Sequence, residues 1–275
     1  MSEVNSFEDS ELPLGGLGAA SRSRLAKVLR AASGTITPAT AASALGEDSV
    51  VAAKHLARWA SQGWLQRVRR GIYVPVPIES ERADSAPEDA WIIAEAAFAP
   101  CFIAGWTAAE HWSLTEQVFR SVCVSTGRKL RVREQVIGGT SFALRRVSEA
   151  RFFGLKAVWR GRAKVQVSDP SRTIVDMLAD PILGGGLRST VDMLENYLKT
   201  TELRDLKQVI DYAERLGNRA VFKRLGFLLQ RLAPDETDVI GECARRLSSG
   251  YAKLDPSLPP KRLVTAWKLW VPAAW

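Results

Sequence analysis

The chain has 275 residues, 46% of them hydrophobic and 25% charged, with a net charge of +8. These are the proportions of a folded globular protein with room for two domains, and a sequence pI near 9.6 favours a polyanionic partner. Three cysteines without paired spacing and only two histidines give no disulfide framework and no zinc constellation. The longest apolar stretch, Ala90 to Trp106, is interrupted by Glu95 and Pro100 and is not a membrane span.

Residues 1–20 are acidic and contain glycine, and are expected to form a disordered leader without the apolar run of a secretion signal. Ser21 is placed as the N-cap of a first helix with Leu25, Val28 and Leu29 as its buried stripe. Thr37-Pro38 starts a second helix that ends at Leu45-Gly46. Asp48 caps a third, which turns Ala52, Leu56 and Trp59 inward and stops at Gly63. Two short apolar runs around Arg69-Arg70-Gly71 read as a hairpin. Three helices and a hairpin make a winged helix-turn-helix over residues 21–77.

Residues 78–87, charged and Pro-containing, are the expected linker. Residues 88–275 then mix types. A helix runs to Phe98, and another starts near Thr107. Strands are expected at 118–125, 141–147, 152–159 and 164–167, and Ser168-Asp169-Pro170 caps a further helix. After Gly184-Gly185-Gly186 come helices at 187–198, 202–216, 218–232 and 235–247, then one late strand over 263–270. The predicted class is α+β: a winged helix-turn-helix followed by a larger mixed α/β domain ending in a helical run.

Within Ser21–Pro77 nine cations face two anions, Glu47 and Asp48, a balance of +7 that nearly equals the whole chain's +8. A recognition helix needs short or polar residues on its outward face to reach base edges. Ser49, Lys54 and Arg58 on the third helix satisfy this. Arg67, Arg69 and Arg70 on the wing suit phosphates or the minor groove. Thr37, at the entry of the second helix, completes the DNA-binding set. The competing reading is a protein-docking module with solvated arginines.

The rest offers little catalytic chemistry. Asp169, Asp176, Asp180 and Asp192 invite a metal-dependent nuclease, but no strand carries an acidic residue followed two positions later by lysine. The triple glycine lacks the lysine and hydroxyl of a P-loop. His111 has no partner at metal spacing. No catalytic residue, metal or cofactor is assigned. On the helix 218–232, Val221, Leu225, Leu228 and Leu232 form one stripe, with Arg219, Lys223 and Arg224 off it. Those three are the candidate surface for an acidic or nucleic-acid partner.

Arg69-Arg70-Gly71-Ile72-Tyr73-Val74 resembles the wing of AbiEi-type antitoxins. The segments Ala104–Leu114, Val167–Asp176, Gly184–Gly186 and Lys223–Leu229 are similar to that family's later landmarks and follow in the same order. The resemblance implies a winged helix that represses its own operon by binding double-stranded DNA. It also implies a C-terminal domain that opposes a nucleotidyltransferase toxin without a stable complex, as in type IV systems. Arg219, Lys223 and Arg224 are then the expected neutralisation surface. The implied protein is a non-enzymatic, cytoplasmic repressor and antitoxin. The alternatives are a stand-alone regulator whose C-domain dimerises or senses a ligand, and, third, a DNA-targeted nuclease.

Overall fold

The computed structural model describes residues 16, 18–76, 89–137, 139–161, 163–273 and 275. Most of the expected leader and the whole expected linker lie outside the described residues. Two compact units are present: Met1–Ala99 with Gln135–Phe142 and Trp159–Val165, and Pro100–Glu134 with Ala143–Val158 and Gln166–Trp275.

The first unit contains α1 (Ala19–Ala31), α2 (Pro38–Leu45), α3 (Ser49–Ser61), a hairpin of β1 (Leu65–Arg69) and β2 (Ile72–Pro75), and α4 (Ala90–Phe98). Ser21 is not a cap. Helix α1 already begins at Ala19 behind Gly18, and Ser21 Oγ instead accepts the Trp59 indole N–H at 2.9 Å. The other two starts are as the sequence predicts. Thr37 Oγ1 accepts from the Thr40 amide at 3.1 Å with Pro38 following, and Asp48 Oδ1 accepts from the Val50 amide at 2.7 Å. Gly46 ends α2 in the left-handed region at φ +67°.

Leu25, Val28, Ala41, Ala52, Leu56 and Trp59 share one core with Ile36, Leu65 and Tyr73. Ile36 exchanges both backbone hydrogen bonds with Tyr73, at 2.8 and 2.9 Å, and thereby extends the hairpin's sheet. Gly71 turns the hairpin at φ +74°. Asp89 caps α4 and pairs with Arg160, whose guanidinium lies 3.9 Å from the Trp91 ring.

Six further strands are β3 (Cys101–Ile103), β4 (Ser121–Thr126), β5 (Glu134–Ile137), β6 (Thr140–Arg146), β7 (Leu155–Arg160) and β8 (Ala163–Ser168). They make a sheet of order β5-β6-β4-β3-β8-β7. β3 is antiparallel to β4 and parallel to β8. β5 is a strand that the sequence pattern does not announce. Its first three residues are exposed, so it lacks the apolar alternation that marks a half-buried strand.

In the second unit α5 (Gly105–His111), α6 (Pro170–Ala179), α7 (Leu187–Lys199), α8 (Leu206–Leu216), α9 (Ala220–Leu232) and α10 (Thr237–Arg245) supply most of a large core. α6 is buried from Pro170 to Leu178. The tail forms a small sheet of order β10-β11-β9, from β9 (Ala252–Lys253), β10 (Arg262–Val264) and β11 (Leu269–Val271). Residues 263–270 are thus two strands, split by a turn at which Lys268 adopts φ +47°, and not one.

That turn inserts Trp267 into the core, where its indole N–H donates to Gln230 Oε1 at 2.7 Å. The ring lies against Gly226 so closely that a Cβ there would fall inside its van der Waals envelope. Gly226→Ala is therefore expected to lower stability by about 1–3 kcal/mol through overpacking, although alanine is the better helix former by roughly 1 kcal/mol. In a Trp267→Leu background the same change should become neutral or stabilising. Urea midpoints of the four proteins test this, and equal losses in both backgrounds would contradict it.

Candidate nucleic-acid interface

Helix α3 separates two jobs by its period. Ala52, Leu56 and Trp59 are buried, while Ser49, Lys54, Ala57 and Arg58 are exposed. Lys54 and Arg58 stand one turn apart on that outward face. At the helix start the exposed set also contains Val50 and Val51, 65% and 42% accessible. The sequence pattern passes over these valines because the outward face is expected to carry short or polar residues. On a groove-facing helix they supply apolar contact for thymine methyls.

On the hairpin, Arg67, Arg69 and Arg70 are all exposed. The register places Arg67 opposite Tyr73 and Arg69 opposite Ile72, with an irregularity between Arg67 and Arg69 that re-aims the strand at its tip. Thr37 is half-buried, and its hydroxyl is engaged with Thr40 in the first turn of α2. Glu47, one of the two anions in residues 21–77, is turned to Arg24 and His55, each at 3.3 Å. His55 also stacks on Trp59, so it belongs to the packing of α3.

The other predicted surface is not a surface. Lys223 and Arg224 are 2% and 4% exposed. Arg224 donates through Nε and Nη2 to the Lys253 carbonyl, and through Nη1 to the Leu178 and Ala179 carbonyls at 2.7 and 3.1 Å. It thereby caps the C-terminal end of α6, where a cation is favoured. Burial lowers its pKa. Lys223 donates to the Gly250 carbonyl. Only Arg219 is exposed, paired with Glu214 at 2.9 Å.

The remaining sequence landmarks are structural as well. Asp169 caps α6 and accepts the Tyr212 hydroxyl at 2.9 Å. Arg172, 1% exposed, pairs with Asp176 at 3.0 Å and donates to the Arg151 and Phe153 carbonyls. Burial raises the Asp176 pKa, an effect the neighbouring Arg172 opposes. Among the described residues no group of three His, Cys, Asp or Glu side chains could hold a metal ion, and no helix is long and apolar enough to cross a membrane.

Charge outside residues 21–77 was also there to be read. Residues 120–160 hold ten cations and two anions, Glu134 and Glu149, for +8, and the chain beyond this segment and 21–77 sums to −7. The overall charge thus hides a second basic segment as strong as the first. Comparing the winged-helix balance only with the total conceals it.

Two outcomes are expected from these placements. Arg58→Ala should cost about 1–3 kcal/mol on a selected duplex and relax sequence preference, whereas Arg69→Ala or Arg70→Ala should weaken selected and scrambled duplexes about equally. Fluorescence anisotropy on both duplexes separates the cases, and equal losses for Arg58→Ala would remove it from base reading. In the second unit, Arg224→Ala should destabilise by at least about 1–3 kcal/mol because buried carbonyls lose their donor. Arg219→Ala should stay within roughly 1 kcal/mol, the range of an exposed ion pair. Similar shifts for the two in urea melts would contradict the burial argument.

No curated protein matches the chain in sequence. A solved structure, the RV2827C protein from Mycobacterium tuberculosis, is similar in fold at a TM-score of 0.62, with 13% sequence identity over 94% of each chain. Residues 23–76 match the family model described as "Transcriptional regulator, AbiEi antitoxin". That segment runs from within α1 through β2 and includes the proposed DNA-facing side chains Thr37, Ser49, Lys54, Arg58, Arg67, Arg69 and Arg70. Over the winged helix, then, the chain matches the family of AbiEi antitoxin transcriptional regulators.

Proposed function

We propose that this protein represses its own operon through the winged helix and neutralises a nucleotidyltransferase toxin through the second unit, without a stable toxin complex. The observation that carries the DNA reading is the coincidence, in one matched module, of an exposed Ser49/Lys54/Arg58 helix face with a wing bearing three exposed arginines. Helix α3 enters the major groove, Lys54 and Arg58 meet base edges or flanking phosphates, and Arg67, Arg69 and Arg70 hold the backbone. Thr37 contributes by fixing the start of α2, whose first amides face a phosphate. The cytoplasm is the proposed compartment, supported by three buried free thiols, Cys101, Cys123 and Cys243.

Burial of Lys223 and Arg224 removes the α9 trio as a neutralising surface, and the antitoxin duty is assigned to the second unit as a whole. Gel shifts on the chain's own upstream region should show binding that weakens steeply with salt. Replacing Arg67, Arg69 and Arg70 together by alanine should reduce the log–log salt slope by roughly 2–3. The same triple variant, expressed from a foreign promoter with the neighbouring toxin, should keep cells alive while failing to repress. An unchanged salt slope refutes the phosphate role of the wing, and cell death at normal antitoxin levels refutes the separation of duties.

A further inference from the structure

Beyond the winged helix, the second unit contains a concave site of about 650 Å³ that neither DNA binding nor the matched module accounts for. Residues 130–134 form one side of it, held to β6 by the Leu144 amide donating to the Arg133 carbonyl at 2.7 Å. Arg131, Arg133 and Arg146 are exposed around it, and none takes part in an ion pair among the described residues. Arg145 also lines the site, but its charge is met by Asp180 at 2.8 Å. With Glu134 counted against the three unpaired arginines, the site retains +2. That is the complement of a phosphate monoester, which carries about −1.5 to −2 near neutrality. Guanidinium forks bind such groups in pairs of parallel hydrogen bonds.

The other wall is apolar and partly aromatic. Trp106, stacked on Phe119 and anchored by its indole N–H to the Ser121 carbonyl at 2.7 Å, lies there with Leu144. A ligand with a dianionic end and a flat, weakly polar body satisfies both walls. The volume is that of a small-molecule pocket. Glu134 adds a carboxylate able to accept from an exocyclic amine.

We propose that this site binds a nucleoside 5′-phosphate, with Arg131, Arg133 and Arg146 on the phosphate, Trp106 and Leu144 against the base, and Glu134 on its amino group. The ligand is either a free nucleotide or the 5′-phosphorylated end of a strand. The assignment does not depend on the winged-helix reading.

Calorimetry on the full chain tests it with CMP, AMP, cytidine, inorganic phosphate, and a tetraribonucleotide with or without a 5′-phosphate. CMP and AMP should bind one per chain, at least about tenfold tighter than cytidine or phosphate alone. The Arg133→Ala/Arg146→Ala protein, checked for folding by circular dichroism, should lose about tenfold or more. Binding confined to the monomers would identify a free nucleotide as occupant, and 5′-phosphate-dependent binding of the tetramer a strand end. Phosphate binding as tightly as CMP, undiminished binding by the double variant, or loss of CMP binding in the Arg67/Arg69/Arg70 triple alanine variant would each overturn the proposal. That triple variant is the one that should abolish operator binding, so the two readings fail separately.

Discussion

Helix α6 sets the terms for the second unit. It is buried from Pro170 to Leu178, so its ends and charges cannot be left to water. Asp169 meets the first turn, and Arg172 with Asp176 forms a pair whose guanidinium also serves two loop carbonyls. At the other end Arg224 reaches across from α9 to the Leu178 and Ala179 carbonyls. Each group is costly to bury alone and acceptable only with its partners. The loop before β7, the start of α6 and the middle of α9 are thereby fixed to one another through hydrogen bonds with little tolerance for displacement.

The first unit is organised differently. Its core is apolar, and its specificity lies in how short elements begin: a threonine and a proline for α2, an aspartate for α3, and an indole-to-serine bond holding α1 against α3. The backbone exchange between Ile36 and Tyr73 ties the wing to the strand segment before α2. The wing therefore rests on the same core as α3, and the two basic surfaces are carried by one small body.

Much of this was legible in the sequence where local chemistry decides. Thr37-Pro38, Asp48 and Asp169-Pro170 each name a helix start, and the inward stripe of α3 follows its period. Legibility failed where a distant partner decides. Ser21 has the residue type of a cap, but Trp59, 38 positions away, takes its hydroxyl. Lys223 and Arg224 fall off the apolar stripe of α9 and so read as solvated. Carbonyls of Gly250, Lys253, Leu178 and Ala179 bury them, and periodicity cannot report a long-range acceptor. Val50 and Val51 fail in the opposite sense, as apolar residues left outside. The second basic segment needed only local counting of charge, without reference to the total.

The division of α3 into two faces also has an evolutionary reach. Ala52, Leu56 and Trp59 carry the folding of the helix, while positions 49, 50, 54, 57 and 58 point away from that core. On the proposed DNA reading, substitutions at the outer positions alter which duplex is preferred while leaving the hydrophobic contacts intact. A duplicated copy of this chain could therefore drift to a new target by changes on a single helix face, escaping cross-talk with its parent without first crossing a valley of unfolded intermediates.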